Sequence, residues 1–95
     1  MPPVGTGQRY SLPYVRYCYF QQERLKTIKE LTQGPEDARS YNLLVVDYNA
    51  RCSDFLYRSE DLLEVIADVT ANKSRLEAEA RRIMSAWPGH GSQQH

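Results

Sequence analysis

The chain has little of what most chemistry needs. Its 95 residues hold two cysteines, Cys18 and Cys52, and two histidines, His90 and His95, with neither a C-x-x-C nor an H-x-x-x-H spacing. A structural zinc site draws on about four such ligands at short spacings, so no metal site is expected. Gly5-Thr6-Gly7 precedes no strand–helix pair, so no phosphate loop and no nucleotide cofactor are implied. No apolar run approaches the ~20 residues of a membrane span. Net charge is absent too: twelve Lys/Arg balance twelve Asp/Glu. That balance argues against a nucleic-acid partner, and Arg81-Arg82 is too short a basic run to reverse it. The first seven residues lack the basic and apolar regions of a secretion signal. Either the chain is cytoplasmic, or it is periplasmic or secreted and a leader is absent from it.

What is present is architectural. A chain of this length makes one domain with a thin core, for which a covalent staple matters. The strongest breaker is Gly34-Pro35, and the midpoint between Cys18 and Cys52 is Pro35. If the flanking segments are helices folded back on each other, each cysteine stands ~22 Å from the turn, at equal height. That geometry predicts a disulfide across an α-hairpin, with free buried thiols as the alternative. Structural disulfides persist mainly in oxidising compartments, which favours the periplasmic or secreted location.

Three helices are expected between a flexible arm, residues 1–11, and a flexible tail, residues 88–95; residues 12–87 form the single domain. The first helix runs from Pro13 to Gln33, with Ser11 as a cap and an apolar stripe of Tyr14, Val15, Cys18, Leu25, Ile28 and Leu31. The second opens at Pro35 with Glu36 and Asp37 at its positive dipole end, and its stripe is Ala38, Tyr41, Val45, Tyr48, Cys52 and Phe55. Leu43-Leu44-Val45-Val46 reads as a strand in isolation but would have no partner, so it is assigned to this helix. The third starts at Ser59 and reads Leu62, Ile66, Val69, Lys73, Leu76, Ala80, Ile83, Trp87 without a break before Pro88-Gly89. At ~42 Å it is longer than hairpin arms of ~30 Å, so its apolar end is expected to overhang them. The fold class is thus all-α: a disulfide-stapled hairpin plus a longer third helix.

Charge is segregated along the chain. Residues 1–35 carry five Lys/Arg against two carboxylates, and residues 36–64 carry three against seven. A basic first helix beside an acidic second one explains this without a ligand. Seven tyrosines are present. Tyr10, Tyr17, Tyr19 and Arg24, with Trp87 from the overhang, are the candidates for a protein-recognition surface, since tyrosine, tryptophan and arginine are enriched at interfaces. Bulky rings also pad a thin core, and Trp87 is expected either to fold back onto the Tyr10–Phe20 segment or to sit in a self-contact. Asp47, Asn49 and Arg51 read as a structural polar network around the bridge, with Asn49 buried and hydrogen-bonded. Asp47 and Arg51, four apart, can pair along the helix.

The residues Arg16-Tyr17-Cys18, then Asp47-Tyr48-Asn49-Ala50-Arg51-Cys52, then Phe55 and Tyr57, carry a resemblance. They resemble a small uncharacterised proteobacterial domain with the pattern R-[YW]-C … D-Y-N-x-R-C-x-x-F-x-Y, over about residues 14–82. The resemblance implies a bacterial envelope or secreted setting and a disulfide-bonded domain, and it implies no activity. The expected function is a non-enzymatic protein-interaction module with an unknown protein partner. The alternatives are a self-associating structural protein and, in third place, a small enzyme or enzyme inhibitor using Asp47 and Arg51.

Overall fold

A computed structural model describes residues 1–88; the expectation of a loose tail, with His90 and His95, otherwise lies outside the described residues. Four helices account for most of the chain: α1 (Leu12–Leu31), α2 (Gly34–Cys52), α3 (Ser59–Ala71) and α4 (Lys73–Ser85). Two short strands, β1 (Gln8–Arg9) and β2 (Phe55–Leu56), pair in parallel, Gln8 opposite Phe55 and Arg9 opposite Leu56. α1 lies at the centre and packs against each of the other helices. The molecule measures 47 × 28 × 17 Å, so it is long and thin.

The α1–α2 turn forms where the sequence breaks. Thr32 ends α1, its hydroxyl donating to the Ile28 carbonyl at 2.7 Å. Gly34 then takes φ +78°, a left-handed conformation that costs glycine little and other residues more. The buried Asp37 carboxylate accepts the Gln33 N–H at 3.0 Å, satisfying a donor at the start of α2 much as a capping box does. Antiparallel return brings Cys18 and Cys52 to a Cα–Cα distance of 5.7 Å, and they are disulfide-bonded. Leu43–Val46 is helical.

The third expected helix is two helices. Asn72 leaves helical geometry at φ −111°, ψ 14° and separates α3 from α4. Its side-chain amide donates to the Asp68 carbonyl at 2.8 Å, and its backbone N–H is shared between the Asp68 and Val69 carbonyls. Asparagine competes with the helix for its own backbone in this way. The chain turns back into helix at once, Leu76 N–H bonding to the Asn72 carbonyl at 2.9 Å. Each half is ~20 Å long, and the end of α4 is covered, Ile83, Met84 and Trp87 packing in one cluster with Leu31 and Leu44.

α3 and α4 run parallel to α1: Arg16 meets Asp68, Arg24 meets Glu79, and Ile28 packs with Met84. The bend changes which residues face inward. Val65 is fully buried in α3 while Ile66, expected on the stripe, is 49% exposed. In α4 the buried residues are Leu76, Ala80 and Met84. The core divides into two clusters. One surrounds the disulfide with Tyr10, Val15 and Val65; the other joins Leu25, Ile28, Ala80 and Met84 near the α1–α2 turn.

Reduction of the bridge, or Cys18→Ala with Cys52→Ala, is expected to lower stability by ~3–4 kcal/mol on the chain-entropy account. Denaturant titration of the oxidised and reduced protein measures this. Coincident midpoints would show that the bridge adds nothing to the packed hairpin.

Candidate functional site

The first eleven residues are not a free arm. Gly5 N–H bonds to the Ala50 carbonyl and Gly7 N–H to that of Asp54, both at 3.0 Å, and Tyr10 N–H bonds to the Leu56 carbonyl at 2.8 Å. Tyr10 is 2% exposed and Pro2 is buried. The Tyr10 hydroxyl donates its one proton to the Arg51 carbonyl, with the Pro3 carbonyl a second, longer acceptor at 3.2 Å, and the Arg51 guanidinium donates to the Pro2 carbonyl. Arg51 also pairs with Asp47 at 3.0 Å. The expected polar network therefore exists in part: Asp47 and Arg51 fasten the N-terminal segment to the end of α2. Asn49 differs from expectation. It is exposed, because inward-facing Tyr48 and Cys52 turn it toward the mouth of a groove.

Aromatic rings continue from this segment around the bridge. Tyr10 stacks on Phe55 at 4.7 Å between ring centres and meets the edge of Tyr14 at 5.4 Å; Phe55 lies 5.6 Å from Tyr57. Tyr57 neighbours Tyr19, and Tyr19 neighbours Tyr48 closely enough for each hydroxyl to raise the next one's pKa. Burial is the larger cause. It raises the pKa of Tyr10, Tyr17, Tyr19 and Tyr48 above the ordinary 10.0.

The five residues expected to form one recognition surface do not share a face. Tyr10 is interior. Arg24 bonds to Gln21 and Glu79 at 2.8 Å each, and Glu79 also holds Arg75 at 2.8 Å, so Arg24 locks α1 to α4. Tyr17 lies among Arg24, Asp47 and Arg51. Trp87 packs in the cluster with Leu31, Tyr41 and Leu44 near the turn, at the far end from Tyr10 and Phe20, because α4 descends beside α1. Tyr10 also edges a hollow with Arg9, Arg58 and Asp61, and Tyr19 lines an open surface groove beside α1.

That surface is the outer side of α1. Between α1 and α3 runs a groove of about 440 Å³, lined by Tyr19, Gln22, Glu23, Lys26, Ile66 and neighbours. Between α1 and α2 runs another of about 310 Å³, where Leu25, Tyr41, Val45 and Tyr48 form the floor and Lys26 and Lys29 the rim. Gln22 and Lys26 form the ridge between the two. Asp47 and Arg51 line neither groove. Reading the sequence did not single out Lys26 or Lys29, and it placed Ile66 on the inward stripe instead of pairing it with the outward Leu63. The i, i+3 spacing of that pair was available as a signal. Among the described residues no helix is long and apolar enough to cross a membrane, and no three His, Cys, Asp or Glu side chains gather as a metal-ligand set.

Comparison with family models, curated proteins and solved structures finds no match to this chain.

The buried tyrosines set an alkaline limit. The folded chain holds their protons to higher pH than the unfolded chain, whose tyrosines ionise near 10. Their stabilisation is therefore complete below that pH and lost as pH rises through the folded values. Among the described residues the ion pairs use arginine, not lysine, so lysine deprotonation breaks none of them. Urea midpoints should fall between about pH 9.5 and about pH 11, less steeply in Tyr17→Phe/Tyr48→Phe. A midpoint that is flat or rising over this range would contradict the assignment.

Proposed function

We propose that the chain is a non-enzymatic protein-interaction module of the bacterial envelope or secreted space, working through the outer side of α1. The observation that carries this reading is the pair of open grooves meeting at Gln22 and Lys26. Their walls are tyrosine and aliphatic and their rims carry Gln22, Glu23, Lys26 and Lys29, the apolar floor within a polar rim that protein interfaces show. The disulfide supports an oxidising compartment, and the sequence resemblance to a proteobacterial envelope domain points the same way. No reaction is assigned to Asp47 and Arg51, because Arg51 is already bonded to Asp47 and to the Pro2 carbonyl.

A photo-crosslinking residue tests this. Benzoylphenylalanine replaces Gln22 on the ridge, or Arg82 on the exposed side of α4 as a control, in protein made in its native compartment. Irradiation should give a protein adduct from position 22 and none from position 82. No adduct from position 22, or equal adducts from both, would overturn the reading.

A further inference from the structure

We infer that the outer edge of β2 pairs with the same edge of a second copy of the chain, antiparallel and centred on Leu56. Residues 54–58 line neither groove beside α1, so this surface is separate from the one described above and stands or falls apart from it.

The two-stranded sheet uses only one edge of β2. The Leu56 carbonyl accepts the Tyr10 N–H and the Asp54 carbonyl accepts the Gly7 N–H, so these groups turn toward β1. Main-chain groups of successive residues alternate between the two edges of a strand, so those of Phe55 and Tyr57 turn away. They have no hydrogen-bond partner among the described residues. Unpaired main-chain groups are seldom buried, so this edge faces water. The side chains along it are open as well: Leu56 is 53% exposed and Tyr57 41%, and Asp54 and Arg58 are exposed. Neither proline nor lysine, which commonly guard an edge, occurs from Ser53 to Arg58.

The register identifies the occupant. Asp54-Phe55-Leu56-Tyr57-Arg58 is complementary to itself when reversed. An antiparallel copy centred on Leu56 sets Leu56 against Leu56, Phe55 against Tyr57 and Asp54 against Arg58. The Phe55–Tyr57 positions become hydrogen-bonded pairs, which satisfies every outward main-chain group of both residues in both copies. Leu56 against Leu56 is the close pair that exchanges no bonds, as it must be when its own groups are committed to β1. Alternation puts Asp54, Leu56 and Arg58 on one face, so the leucine pair is flanked at each end by opposite charges. Asp54 has no ion pair among the described residues. Arg58 holds Glu60 at the surface through Nε and Nη2, which leaves Nη1 for a second carboxylate. The two-fold axis closes the pair into one four-stranded sheet, β1-β2-β2-β1, with no further open β2 edge. Four main-chain bonds and a small covered area make this a weak, transient interface.

The test combines a charge exchange with a crosslink. Sedimentation equilibrium from about 10 µM to about 1 mM should show wild type as a monomer–dimer mixture. Asp54→Arg and Arg58→Asp each set like charges together at both ends of the pairing and should dissociate about tenfold more readily. Their equimolar mixture sets opposite charges together at both ends and should recover the wild-type dimer. Asp54 is exposed, and Arg58 is the N-cap of α3, where aspartate is favoured, so both variants keep the fold, which circular dichroism checks. Leu56→Cys reads the register. Its Cα atoms would stand ~4.5 Å apart across the axis, within disulfide reach. It should oxidise to a covalent dimer well before Leu63→Cys, although Leu63 on α3 is the more exposed at 71%. A wild type that is monomeric throughout would overturn the inference. So would charge variants that dimerise as wild type does, a mixture no tighter than its components, or Leu63→Cys crosslinking as fast as Leu56→Cys. None of these outcomes bears on the grooves, which the crosslink from position 22 tests.

Discussion

Cys18 and Cys52 join α1 to α2 at the end of α2, and the side chains packed on that bridge come from the N-terminal segment, α1, α2, β2 and α3. Tyr10 arrives from the N-terminal segment, Val15 from α1, Phe55 from β2 and Val65 from α3. A hairpin of two helices has little to hold its open end together, since its turn fixes only the other end. The bridge closes that end covalently and makes a floor on which short segments can pack. The parallel pairing of Gln8–Arg9 with Phe55–Leu56 is too short to persist alone, and it is held because Tyr10 is anchored between the bridge and the Arg51 carbonyl. The aromatic ring sequence from Tyr14 to Tyr48 follows from the same anchoring.

The lower half of the molecule is held differently. Leu25, Ile28, Ala80 and Met84 pack without a covalent link, and the Arg24–Glu79–Arg75 pairs tie α4 to α1 beside them. Partly screened ion pairs of this kind add direction more than strength. Apolar packing therefore sets the stability of this half, while the charges fix the parallel register of α3 and α4 on α1. Because the helices lie nearly side by side, residues flanking each inward stripe remain at the surface. That is why a 95-residue chain leaves two grooves open beside its central helix.

Features tied to a breaker or to a covalent requirement were legible in the sequence. Gly34-Pro35 marks the turn, the equal distances of Cys18 and Cys52 from it announce the bridge, and the 3.6-residue period gives the helices. The break at Asn72 was not legible, because the apolar period runs through it unbroken and only the competition of one amide with the backbone ends the helix. The docking of the first residues was hidden for a related reason. Backbone hydrogen bonds from Gly5 and Gly7 leave no side-chain pattern, so a Pro/Gly-rich segment reads as loose. Asn49, Ile66 and Trp87 were misplaced because a periodic stripe does not reveal which flank is covered in a structure one helix thick on that side. The grooves depend on how three helices are set beside one another, a tertiary property that composition does not carry.

Amide hydrogen exchange, residue by residue, on the oxidised and the reduced protein tests most directly whether the bridge organises one end of the molecule. The account predicts that reduction removes protection first from Gly5, Gly7 and Tyr10, whose N–H groups are bonded across to α2 and its following segment. Amides around Ile28 and Ala80, in the separate lower cluster, should keep most of theirs. Equal loss of protection in both regions, or none in either, would contradict it.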